Sequence, residues 1–221
     1  MLTSFVGGAM MTGQGAEFVG RRVLVAGSAS DLDMALTEAL GALSANVVVE
    51  RAATIAAPAG CSGRYDDVFA LTQGAVRSLG GLDAVISMVE LDRAALAEAI
   101  ARDKVESYCT DTLAGPLAAI RVALNRMETT WVEGALVAVL VIPAGLSVGA
   151  SLVARIARSM LADMVRHEAM RAAPFGISVR AVIVDQAVTD DAAAAVSAIL
   201  SAISLAAANL TGVAVEVDGC Y

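Results

Sequence analysis

The stretch from Arg22 to Ala42, RVLVAGSASDLDMALTEALGA, decides the fold. It opens on a short β-branched run, Arg22 to Ala26, turns at once, and continues with apolar residues at helical spacing from Leu32 to Leu43. The same alternation recurs along the chain. Strands are expected at Asn46 to Glu50 (NVVVE), Leu82 to Ser87 (LDAVIS), Ala135 to Ile142, Ile177 to Val184 and Val213 to Val217. Helices are expected over Val68 to Leu79, Lys104 to Met127, Val148 to Met170 and Asp190 to Ala207. Wholly apolar strands that alternate with helices imply an α/β protein, its parallel sheet covered on both faces and joined by right-handed crossovers. No internal repeat or break in composition divides residues 21–221, which read as a single domain behind a loose leader, residues 1–20.

Composition bounds the function. The 221 residues are 57% hydrophobic but only 4% aromatic, and alanine and valine are abundant, which suits helices packed closely on a buried sheet. A formal charge of −8 argues against nucleic acid or an anionic membrane as partner, since both require clustered Lys and Arg. Cys61, Cys109 and Cys220 are odd in number and far apart, and His167 is the sole histidine, so neither a disulfide framework nor a metal site is expected. The cysteines read as small core residues, and a reducing, cytoplasmic setting fits them. Two uncharged stretches, Gly134 to Ala154 and Ala192 to Val215, are broken by Pro143, Gly145, Gly149, Asn209 and Gly212, and read as interrupted elements rather than membrane spans. The amino terminus has no basic residue ahead of its apolar stretch, which argues against a signal peptide, and Met1, Met10 and Met11 are alternative starts.

Five segments, taken together and in order, resemble the short-chain dehydrogenase/reductase family from Arg22 to Tyr221. They are VLVAGSASDLDMALTEALGA, GGLDAVIS, DTLAGPLAAIRVAL, PFGISVRAV and LTGVAVEVDGCY. The resemblance implies a Rossmann-type three-layer sandwich with a parallel sheet of seven strands, or six. A fold carries no activity by itself, so the site has to be read residue by residue.

The family's phosphate turn, Thr-Gly-x-x-x-Gly-x-Gly, aligns here with Ala26, Gly27, Asp31 and Asp33, so only its first glycine is present. Two carboxylates about 5 Å from a phosphate would each oppose it by about 3 kcal/mol at an effective dielectric near 20. The plainer reading is that aspartates at a helix start favour its dipole. The family's Asn-Asn-Ala-Gly segment becomes Ser87, Met88, Val89 and Glu90, placing a long side chain, Glu90, where backbone should approach a cofactor. Glu50 could stand in for the acidic residue that binds a ribose at the end of the second strand, and Asp66 or Asp67 for an adenine contact. The Pro-Gly after the sixth family strand becomes Val184 and Asp185. Of the catalytic Asn, Ser, Tyr and Lys, the aligned positions hold Thr112, Pro143 (or Ala144), Ser151 and Arg155. An arginine does not titrate near neutrality, and Tyr65, Tyr108 and Tyr221 lie elsewhere in the sequence. The link from Arg51 to Arg64 looks too short for a full helix, and the segment from Val184 to Asp190 leaves no room for a substrate lid.

These readings imply a pseudoenzyme without a bound cofactor or metal. The resemblance further implies an assembly surface in the two long helices, about 104–127 and 148–170, and in the C-terminal strand. Apolar stripes mark them: Leu113, Leu117, Ile120 and Leu124 on the first helix, and Leu152, Ile156, Met160 and Met164 on the second. The family includes mixed oligomers of an active and a degenerate subunit, a hydroxyacyl-CoA dehydrogenase among them. The expectation is therefore a non-catalytic subunit of a hetero-oligomer whose active partner binds NAD, with Tyr221 able to reach that partner's site. The alternative is a free-standing sensor that uses the emptied cleft for a ligand other than a dinucleotide.

Overall fold

A computed structural model describes residues 16–27, 30–51, 61–130, 133–186, 191–204 and 211–217. Six strands are seen among them: β1 (Arg22–Gly27), β2 (Asn46–Arg51), β3 (Ala84–Glu90), β4 (Ala135–Ile142), β5 (Ser178–Asp185) and β6 (Ala214–Val217). They form one all-parallel sheet in the order β2-β1-β3-β4-β5-β6. The helices are α1 (Asp31–Ala42), α2 (Cys61–Leu79), α3 (Arg93–Ala101), α4 (Val105–Thr130), α5 (Val148–Ala172) and α6 (Ala192–Ile203). This is the expected Rossmann-type three-layer sandwich, with six strands among the described residues.

Two apolar cores lie on opposite faces of the sheet, because successive strand side chains point to opposite sides. Leu24, Val85, Leu136, Leu140, Val179 and Ile183 meet α2, α4 and α5 on one face. Val23, Val25, Ile86, Val137, Val182 and Val184 meet α1 and α6 on the other. Midway up the first face, the register aligns Glu50, Ala26, Ser87, Ala138, Ala181 and Ala214 in one row across all six strands. Five of the six are small, and the helices above are correspondingly lined with Ala119, Ala123, Ala150, Ala154 and Ala157. The alanine excess is the sequence trace of this close packing.

Helix starts follow local capping. Ser30, Asp92, Ser147 and Asp191 each accept a main-chain N–H bond at the heads of α1, α3, α5 and α6. Helix α3 lies between residues 91 and 104, where periodicity predicts no element, although Asp92 followed by an alanine-rich run is a fair start signal. Helix α2 begins at Cys61 rather than at Val68, so the end of the link that looks too short for a helix is helical. Packing also reaches beyond the expected leader boundary at residue 20. Ala16–Phe18 forms a 3-10 turn whose Phe18 is buried, with the Arg21 guanidinium 5.8 Å above its ring.

The uncharged stretches resolve as interrupted elements: β4, a turn and α5 in one case, α6 and β6 in the other. Among the described residues no helix is long and apolar enough to cross a membrane. Cys109 is buried in the core, as expected; the Cys61 side chain and Cys220 lie outside the described residues, with Tyr65, Trp131, Tyr221 and residues 187–190.

The two expected assembly stripes part company. On α4, Leu113, Ile120 and Leu124 are fully buried in the chain's own core, because that face of the helix lies on the sheet. On α5, Leu152 and Ile156 are exposed, while Met160 and Met164 are partly buried against that same core. The helices are tied to each other by ion pairs: buried Glu168 accepts from Arg121 Nε at 2.6 Å, and Arg171 reaches Glu168, Glu128 and Asn125.

Candidate functional site

The strand order reverses direction between β1 and β3, and in an open parallel sheet the crevice at such a switch point, beyond the carboxyl ends of the strands, is where a ligand binds. Here the ends of β1 and β3 approach each other closely at Gly27 and Met88. A Cβ on Gly27 would lie 3.1 Å from Met88 Cβ and 3.4 Å from the Met88 carbonyl oxygen. Met88 itself is 3% exposed and packs among Val25, Leu32 and Leu36. The glycine therefore serves strand-to-strand packing, and no left-handed φ is found at it. Glu90, the long side chain expected where backbone should approach a cofactor, is exposed at the end of β3.

The phosphate turn departs from its reading at a second point. Asp31 faces solvent in the first turn of α1, but Asp33 is fully enclosed, its N–H donating to Ser30 Oγ at 3.3 Å and its main-chain carbonyl accepting from Thr37 Oγ1 at 2.8 Å. Only Asp31 could oppose a phosphate from solvent. Asp33 belongs to the interior, where a carboxylate in the first turn is favoured by the helix dipole. Ala26 pairs in register with Glu50 on one side and with Ser87 on the other, which places Glu50 in the edge strand beside the turn. Asp66 and Asp67 are exposed within α2. Asp185 closes β5, and Val184 before it is buried.

The positions aligned with the family's catalytic set lie after β4 and on α4 and α5. Pro143 is buried directly after β4. Ser151 and Arg155 are exposed on α5, and Arg155 lines a depression on the outer face of that helix. Thr112 is half-buried on α4, four residues ahead of Pro116, whose missing N–H leaves the Thr112 carbonyl without its helical donor.

One tyrosine lies beside an aligned position, although sequence spacing does not place it there. Tyr108 lies one turn before Thr112, hydrogen-bonds its side chain, and donates its phenol to the Asp92 carbonyl at 3.4 Å, just beyond the end of β3. Burial pushes this phenol up to about 12, opposed only in part by the bond with Thr112. A tyrosine that transfers protons near neutrality needs the opposite shift, produced by a neighbouring ammonium. The chain has a single lysine, Lys104, exposed ahead of α4. Among the described residues no cluster of His, Cys, Asp and Glu is arranged to hold a metal ion.

No protein-family model and no curated protein matches the sequence. Solved structures do match the fold. A short chain dehydrogenase from Leptospira borgpetersenii serovar Hardjo-bovis (strain JB197), with bound NAD+, superimposes with a TM-score of 0.69 at 13% identity, covering 98% of each chain. A short chain dehydrogenase from Mycobacterium smegmatis gives 0.68 at 16% identity, over 93% of this chain and 95% of the other. The citronellol catabolism dehydrogenase AtuB of Pseudomonas aeruginosa PAO1 gives 0.63 at 17%, over 93% and 96%. The chain thus has the fold of short-chain dehydrogenases along essentially its whole length. At these identities the likeness is one of fold, and activity has to be argued from the site.

Proposed function

We propose that this chain is a non-catalytic subunit with the short-chain dehydrogenase fold, which assembles with an active member of that fold and stabilises it. The observation that supports the reading is the close approach of buried Met88 to Gly27, beside the backbone that a dinucleotide would have to reach. The serine and arginine at 151 and 155, in place of tyrosine and lysine, and the high phenol of Tyr108 support it. The partner supplies the NAD site and the chemistry; a hydroxyacyl-CoA as its substrate rests on family resemblance. A free-standing sensor would need the same crevice open, and the packing of Met88 counts against it.

The test is native mass spectrometry of the tagged chain isolated from its own host. The expected result is a stable complex with a second dehydrogenase that carries an intact Tyr-x-x-x-Lys. Recovery of the chain by itself, repeatedly and under gentle conditions, would sink the reading.

A further inference from the structure

At the amino ends of the strands, away from the switch-point crevice, lies a cavity of about 120 Å³. Arg22 at the head of β1, the turn Gly80-Gly81-Leu82 after α2, and Arg126 near the end of α4 line it. Both glycines have positive φ, 74° and 150°, so the turn passes the cavity with bare backbone. A Cβ on Gly80 would meet nothing within 4 Å. The floor is apolar, made by Val76 and by the buried Leu82 and Met127.

The two guanidinium groups at this cavity differ. Arg22 is fully engaged: its main-chain N–H, Nε and Nη2 donate to the Asp83 carboxylate, and its Nη1 donates to the Gly80 carbonyl. Arg126 is half-buried, and among the described residues its guanidinium has neither an ion pair nor a hydrogen bond. No lining residue is acidic, and Asp83 is neutralised by Arg22, so Arg126 leaves the cavity with an uncompensated positive charge. The carbonyls that end α4 oppose an anion. Those of Arg126 and Met127, however, are covered by hydroxyl donors from Thr129 and Thr130.

We propose that this cavity binds a small aliphatic carboxylate, its two oxygens on the fork of Arg126 and its tail on Val76, Leu82 and Met127. A planar guanidinium offers a carboxylate two parallel N–H bonds. A water occupies about 30 Å³ of liquid, so the volume suits a molecule of about five heavy atoms, the size of propionate. Phosphate suits it less well, because its remaining oxygens would face apolar side chains with no donor to satisfy them. The site stands apart from Gly27 and Met88, and its occupancy does not depend on a partner dehydrogenase.

The full chain, labelled with ¹⁵N, tests this by titration with propionate, propionamide and orthophosphate in turn. Propionate should shift the amides of Gly80, Gly81 and Thr130 saturably, with half-saturation at about 5 mM or below, and should leave the Gly27 amide unmoved. Propionamide has the same shape without the charge, and should need about tenfold more or fail to bind. R126M should lose about tenfold or more of the affinity for propionate while melting at the parent's temperature in its absence. Equal binding of propionate by R126M would overturn the proposal. So would results on the parent chain alone, whatever the stability of the variant: propionamide binding as well as propionate, orthophosphate binding more tightly, or shifts that grow linearly to about 100 mM.

Discussion

Gly27 keeps its place in the phosphate turn because β3 comes too close for a side chain. Alanine there would press its Cβ against Met88 Cβ and the Met88 carbonyl, neither of which is the free end of a flexible chain. G27A is expected to lower unfolding stability by about 1–3 kcal/mol in a urea titration. M88A, which empties a fully packed site, should lower it by about 2–4 kcal/mol and should leave the chain unable to bind NAD+ at millimolar concentration in a thermal-shift assay. At this scale the sequence is partly legible. Missing glycines and the absent Tyr-x-x-x-Lys can be read from letters alone. That Met88 is interior and Glu90 exposed cannot, since both are long, both lie on one face of β3, and only their distance from the strand end tells them apart. The same holds for Asp33, which looks like a solvent-facing carboxylate in sequence and is interior in the fold.

Helices show what capping can and cannot reveal. α6 has no basic residue in its last turn, yet two buried arginines from elsewhere hold its carbonyl end: Arg21 donates to Ile203 O at 2.6 Å and Arg180 donates to Ala202 O. A cation at the negative end of a helix is favourable, and a buried carbonyl deprived of its charged donor is costly. R21M is expected to cost about 1.5–3 kcal/mol, measured by chemical denaturation, with amide exchange accelerating first in the last turn of α6. No sequence window contains this clamp, because the partners lie 182 and 22 positions apart. Strand positions, by contrast, are legible nearly to the residue, since continuous apolar runs such as ALVAVLVI have one reading in a sheet buried on both sides. α3 escapes periodicity for a different reason: its nine residues carry a weak apolar period, and the Asp92 cap is the only clear signal.

Across the whole molecule, the sheet is anchored at its lower edge by Arg22 and Asp83. Arg22 donates from its main-chain N–H, from Nε and from Nη2 to the Asp83 carboxylate, at 2.8, 2.9 and 2.5 Å. Gly81 beside them, at φ +150°, leaves the space in which the guanidinium lies. Burial alone would raise the Asp83 carboxyl, but the bonds from Arg22 outweigh it and hold the group below its ordinary value of 3.8. A carboxyl depressed on folding contributes stability above its unfolded value and loses it as pH falls through the folded one. Stability of the parent chain should therefore fall below about pH 4, and D83N should be less stable at neutral pH with a shallower acid limb, as followed by denaturation across pH 2–7. The architecture that this pair supports is the most legible feature of all, because alternation of strand and helix over about 200 residues leaves few topologies.

The contact between Gly27 and Met88 also gives the chain a direction in time. Restoring glycine at 31 and 33 gains no ligand while the methionine stays, and glycine at 33 takes away an interior side chain. Trimming Met88 first opens a hole that nothing yet fills. Under the proposed function, each single step towards a dinucleotide site costs packing before it gains a ligand. Such a surface would act as a ratchet: entered one substitution at a time and left only by many together.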